Sequence, residues 1–503
     1  MRKITIAISI LALSACSFLD ENPTSQRTRE EVVTSEANLY LNTLGNLYGM
    51  IGGSETGQGL AGTYRGVYDL NTFTTDEAIL PTRGGDWYDG GLWQRLYLHE
   101  WETGEAPIKD AWNYLYKVIV MANQAIEDLW GNNDWQQEAR AVRALYYYYL
   151  LDMFGRVPLV TSPSVAMSEV AQRERADVFT FVVNELEDIV EDLPLERSNR
   201  PGTWYGRVTR PVAWFILAKL YLNAPVYNGN NYFDKVIELC DKIGLAGYEL
   251  EADYSANFAV YNEGSLENIF TIPMDKHLYS AQNQYLFRSR HYDHAAACGF
   301  TGENGSSATL EVLRANGFGT ASQDPRFDLN YWGGIPLDLN GDPIAMEYKP
   351  WSVALDVTGT PDEKVAGARM RKYELDASAM KDGKLMDNDW VLFRYADVLL
   401  MKAEALLHKG QESEALSLVN EVRLRAGADA LSSLSYDILL EERLREFAWE
   451  GLRRQDLIRF GRFGAEWSFR PSLPDESSGY TNLFPIPADV LALNPKLSQN
   501  KGY

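Results

Sequence analysis

Residues 76–101 hold the densest set of side chains suited to chemistry. Asp76, Glu77, Arg83, Asp86, Trp87, Tyr88, Asp89, Trp93, His99 and Trp101 stand among Gly84, Gly85, Gly90 and Gly91. Aromatic rings can stack on the apolar C–H faces of a sugar, while Asp, Asn, Arg or His bind its hydroxyl rim. Glycines let backbone approach closely. Trp87 and Tyr88 are read as ligand-facing planes, with Asp76, Arg83, Asp86 and Trp93 around them. Trp93, Tyr97 and Trp101 recur every four residues, so they also fit a helix anchored by its rings.

Residues 288–300 form a second candidate, with Arg288, Arg290, His291, Tyr292, Asp293 and His294. His291 and Tyr292 are taken as ligand contacts. His291, His294 and Cys298 have helical spacing that would suit a metal, but a fourth ligand is not evident. A hydrogen-bonding loop fits better, and no metal or cofactor is expected. Tyr331-Trp332-Gly333-Gly334 is a third candidate, carried by Trp332 and joined by Trp351. Asp338, Asn340 and Asp342 begin a calcium-loop spacing. Pro343 stands where such a loop needs Gly, and Lys349 where it needs a bidentate Glu. Asn340-Gly341 is therefore read as a tight hairpin turn. The chain has no nucleophile elbow, phosphate loop or paired Cys-x-x-Cys zinc site. Acidic pairs are too numerous to single out two hydrolytic carboxylates.

Helices must position these loops. Periodicity predicts them over 30–50, 111–129, 134–154, 176–192, 211–223 and 233–243, the last stopped by Gly244. Asp134 is a candidate cap for the third. The tyrosine run 146–149 reads as core and helix–helix contact. Residues 269–272 read as a strand, stopped by Pro273. Helices return from Trp390, over 397–408, 412–425, 436–451 and 452–460. The charged groups of 441–456 fit ion pairs at i,i+3 and i,i+4. The stretch after 484, with Pro485, Pro487 and Pro495, reads as mostly extended. Segments 218–244 and 403–427 echo each other as paired helices with small residues and a Gly stop, which resembles a tetratricopeptide unit.

The chain has 503 residues, 46% of them hydrophobic, enough for a large core. Its net charge is −23. That excludes nucleic acid as a partner and disfavours a strongly acidic ligand, unless a local basic pocket overrides it. Only three cysteines occur. Cys240 reads as a buried thiol in an apolar helical stretch, and a Cys240–Cys298 disulfide stays open.

At the start, Arg2 and Lys3 precede an apolar run, and Leu13-Ser14-Ala15-Cys16 closes it. This resembles a bacterial lipobox, with Cys16 lipidated and the leader removed. Losing Arg2 and Lys3 takes the charge from −23 to −25. More than one acyl chain on a cysteine satisfies the requirement for stable anchoring.

The C-terminal third carries a more specific likeness. Residues 390–400 read WVLFRYADVLL, 441–447 EERLREF and 450–457 EGLRRQDL, and the chain ends in QNKGY. Upstream, Asp76-Glu77-Ala78 and 143–159 agree. Together these resemble the SusD/RagB family of outer-membrane nutrient-binding lipoproteins over nearly the whole chain, with residues 247–388 the weakest match. The resemblance implies an all-α dominated fold of tetratricopeptide-like helix pairs in a right-handed superhelical scaffold. An irregular loop-rich insert and small hairpins complete it. The expected divisions are a signal peptide at 1–15, a lipidated tether at 16–29, an N-terminal helical part at 30–246, a variable region at 247–388 and C-terminal helical pairs with a tail at 389–503. The family also implies oligosaccharide capture without catalysis, delivery to a SusC-like TonB-dependent transporter, and a lipid-anchored, surface-exposed place on the outer membrane. The rival readings are a scaffold that binds protein rather than glycan, and a surface glycan hydrolase.

Overall fold

The computed structural model describes residues 36–53, 58–61, 65–277, 284–379, 384–472 and 478–503. The expected leader, Cys16 and the tether lie outside the described residues. Helices α1 (Ala106–Asp128) and α2 (Asn133–Met153) form an antiparallel hairpin. In α1, Trp112, Leu115, Ile119 and Ala122 fall on one buried stripe. The second half of α2 is buried nearly all round because it lies between α1 and α3 (Arg175–Ile189). Tyr146, Tyr147 and Tyr148 are accordingly buried, as the sequence predicts. The α2 cap is Asn132, whose side chain accepts from Trp135 N, and not Asp134, which sits in the first turn.

Helix α4 (Arg210–Leu222) starts with Pro211 in its first turn and packs on α5 (Phe233–Leu245). Gly244 does not stop α5. It lies inside the helix, where an added Cβ would come within 2.8 Å of the Tyr395 hydroxyl. The glycine therefore serves the crossing of α5 with α6 (Tyr395–His408), and Gly247, at φ +88°, lies in the turn beyond. Helix α6 packs in turn on α7 (Glu412–Arg425) and α8 (Tyr436–Glu446), followed by α9 (Arg453–Arg459). The helix pairs build a tetratricopeptide-like, helix-dominated architecture.

Trp390 does not begin a helix. Residues Trp390–Arg394 form strand β2, antiparallel to β1 (Asn268–Ile272), with every side chain of both strands buried. A short apolar run has no period that separates strand from helix, and here the partner strand decides. The other ladders are two residues long, such as Tyr331–Trp332 with Arg369–Met370. Residues 337–343 make the predicted hairpin turn, Gly341 at φ +87°. The tail is not wholly extended: Ala488–Leu493 is helical. It folds back on the end of α2, with Phe484 N donating to Met153 O and Asn500 Nδ2 to Phe154 O.

The charges of α8 and α9 mostly pair between elements rather than along one helix. Arg443 binds Asp397 and Asp456, Arg453 binds Asp76, and Arg454 binds Asp152. Glu446 receives Arg326, Arg394 and Arg425. Arg445–Glu441 is one pair that keeps the expected i,i+4 form. Cys240 and Cys298 are both free and buried. Among the described residues, no helix is long and apolar enough to cross a membrane.

Candidate functional site

The loop at 83–91 projects between helical elements and the variable region. Arg83 and Asp86 exchange backbone hydrogen bonds of 3.0 and 3.2 Å, closing a tight turn over Gly84 and Gly85. Arg83 lies fully buried beneath it. Its guanidinium donates to Glu363 O, Ser307 Oγ and Ala366 O. It thus anchors the loop instead of facing a ligand.

Trp87 has φ +62°, a conformation costly for a bulky side chain. Contacts on the indole hold it. Its Nε1 donates to Glu303 O at 2.9 Å, and the Gly305 backbone passes against the indole. A Cβ on Gly305 would stand 2.7 Å from the ring, so the approach needs glycine. Trp87 is half-buried and meets buried Trp93 edge-on at 6.2 Å. Beside it, Tyr88 is 52% exposed and Tyr292 41% exposed. The Tyr292 hydroxyl donates to Asp86 Oδ2 at 3.2 Å, and Lys364 Nζ stands 3.5 Å from the same oxygen. The structure thus brings Asp86, Trp87, Tyr88 and Tyr292, drawn from two sequence candidates, into one patch. Lys364, Glu303 and Gly305 complete it, and no motif in the sequence marks them.

The other predicted contacts lie elsewhere. Asp76 is buried, with both carboxylate oxygens 2.7 Å from Arg453 nitrogens. Trp93 is buried in the short helix Leu92–Leu98 and donates to Asp89 Oδ2. His291 is buried, and its Nδ1 caps the helix Tyr292–Ala297 by accepting from Asp293 N. These side chains are used inside the protein. Trp332 is half-buried and borders a different face of that helix, edge-on to His294 at 5.2 Å. Residues 292 and 294 are about 200° apart on a helix, so Tyr292 and His294 look in different directions. Trp351 is exposed near Phe318.

Burial, reinforced by Arg369, draws His291 down to about 4, and burial with Arg290 draws His294 down to about 3. Both are neutral at physiological pH. Among the described residues, no group of three His, Cys, Asp or Glu side chains is placed to hold a metal ion.

The fold defines a helix-repeat protein with an aromatic patch on its inserted loops. Two family models match the chain: "SusD family" over residues 344–503 and "Starch-binding associating with outer membrane" over residues 17–222. The chain belongs to the SusD/RagB family. The starch-binding protein SusD of Bacteroides thetaiotaomicron is 26% identical over 495 residues, covering 89% of this chain and 87% of the relative. A SusD-like carbohydrate binding protein from Bacteroides fragilis superimposes with a TM-score of 0.75 at 20% identity, covering 93% of this chain and 100% of the other. A laminarin binding SusD-like protein gives 0.72 at 22% identity, with the same coverage. These relatives are named as binding proteins.

Proposed function

We propose that this chain captures oligosaccharide or polysaccharide at the cell surface and hands it to a SusC-like TonB-dependent transporter. It acts by binding, without catalysis. The observation that carries the reading is the patch formed by Tyr88 and Tyr292 beside Asp86. The exposed Tyr292 ring sets its hydroxyl on the Asp86 carboxylate, and Tyr88 exposes a second ring on the same loop, which together offer the planes and hydrogen-bonding capacity a sugar requires. The names of the starch-binding and laminarin binding relatives support a glycan ligand. In this reading Cys16 carries the lipid, residues 16–29 are the tether, and the helical body at 30–246 and 389–503 presents the variable region 247–388 outside the outer membrane.

Isothermal titration of the mature chain against neutral and acidic glycans tests the ligand. Co-purification with the transporter tests the partner. Binding to a glycan that Tyr88→Ala and Tyr292→Ala weaken supports the proposal. Transporter association without affinity for any glycan favours the scaffold reading instead.

A further inference from the structure

Another face of the Tyr292–Ala297 helix borders a cavity of about 210 Å³. Arg290, His294, Trp332 and Arg371 line it, with Asp338 and Glu374. Arg290 is 3% exposed, and its Nε and Nη1 have no hydrogen-bond partner. No carboxylate among the described residues pairs with it. Nearby arginines differ in having both terminal nitrogens satisfied. Arg288 gives both terminal nitrogens to Asp69, and Arg369 donates to Ser307, Asn304 and backbone carbonyls. A buried guanidinium stays charged, and leaving it without an acceptor is costly.

The other groups facing the cavity leave that charge unanswered. Asp338 accepts from the backbone N–H of Asn340 and Asp342, inside its own turn. Glu374 is exposed and accepts from Val260 N. His294 Nδ1 faces the Tyr348 hydroxyl at 3.0 Å. Arg371 lies 4.1 Å over the Trp332 ring, adding a second cation beside an apolar plane.

We propose that this cavity is an anion subsite that receives a single acidic sugar unit, its oxyanion held by Arg290 and Arg371. The volume, below the ~300–1,000 Å³ of pockets for drug-sized ligands, suits one sugar unit rather than a chain segment. Guanidinium matches a carboxylate or sulfate oxyanion with charge-assisted, often bidentate hydrogen bonds. The lining sets two guanidiniums against two carboxylates, so it is not basic overall; Asp338 is held by its own turn and Glu374 by Val260 N, which leaves Arg290 as the charge an acidic group would answer. The inference rests on the glycan reading above and narrows its ligand class.

The test is titration of the mature chain with matched pairs: uronate oligosaccharides against their carboxyl-reduced forms, and sulfated oligosaccharides against their desulfated forms. Free acetate, free sulfate and free glucuronate serve as competitors. The acidic member of a pair should bind about 10- to 100-fold tighter, and added salt should erode the difference. Which pair shows it separates carboxylate from sulfate. Arg290→Gln should abolish the preference while sparing affinity for the neutral member. Arg371→Gln, at a less buried position, should reduce it several-fold, so the idea stays testable if the first variant does not fold. Equal affinity within every pair overturns the inference while leaving the glycan reading intact. So does a preference left undiminished in either folded variant, or displacement by free acetate or sulfate as readily as by glucuronate. Binding of no glycan of either kind overturns both.

Discussion

Arg394, the last residue of β2, and Glu446, the last residue of α8, meet at 2.6 Å with both side chains sealed from solvent. Glu446 also receives Arg326 and Arg425, while Arg394 also reaches Glu267 and Glu450. One network therefore ties β2, α7 and α8 to the variable region. The three guanidiniums hold the Glu446 carboxyl well below the usual carboxylate range, against the opposing effect of burial. Glu446→Gln should cost about 3–5 kcal/mol at pH 7, because it leaves buried arginines uncompensated. With a depressed folded-state pKa, this contribution is whole above the unfolded value of about 4.3 and fades as pH falls toward the folded one. Denaturant titration at pH 7 and below pH 4 checks it. A difference from wild type that does not shrink in acid would contradict the assignment.

Glu77 behaves oppositely. It is buried behind the Asp76–Arg453 pair and accepts from Trp449 N, whose residue sits at φ +65°. Burial pushes its pKa up to about 8. The native state therefore holds a proton that the unfolded chain releases near 4.3. This group's contribution to stability is whole below that pH and is lost as pH rises through about 8. Glu77→Gln should match wild type at pH 4 and exceed it at pH 9 by on the order of 2–4 kcal/mol. Parallel melting curves that never diverge would refute this.

Gly305→Ala should disturb the patch without unfolding the protein. The new methyl collides with the Trp87 indole and with Arg288 O, at 2.7 and 3.0 Å. The expected result is a changed Trp87 fluorescence, a stability loss of about 1–3 kcal/mol, and weaker glycan binding. Unaltered affinity would place the ligand away from Trp87.

Tyr88→Ala and Tyr292→Ala remove exposed rings, so the melting temperature should stay close to wild type. If each ring stacks on sugar, affinity for the recognised glycan should fall about 10-fold per ring. Titration calorimetry reads both.

Cys16→Ser should release the exported protein from the membrane. Labelling with a tagged fatty acid should be lost in the variant and present in wild type. Persistent membrane association without the label would point to another anchor.

The long helices were legible because their apolar positions recur with the helical period, and α7 follows its predicted bounds. The reading of Cys16 as a lipidation site rests on the order of charge, apolar run and small residues along the chain, and lies outside the described residues. Family membership followed from local strings such as EERLREF, although their ion pairs reach across the fold. What needed tertiary structure were relationships without a sequence period. Trp390–Arg394 became a strand because β1 lies beside it, and Gly244 a crossing point because Tyr395 lies against it. Asp76 and Arg83 carry the residue types of a sugar site, yet their partners, Arg453 and the 363–366 backbone, draw them inward. Tyr88 and Tyr292 are distant in sequence and join one patch only through loop packing. Residue type sets what a side chain can bond to, while burial and neighbours, decided by packing between remote segments, set whether that capacity is spent inside or left for a ligand.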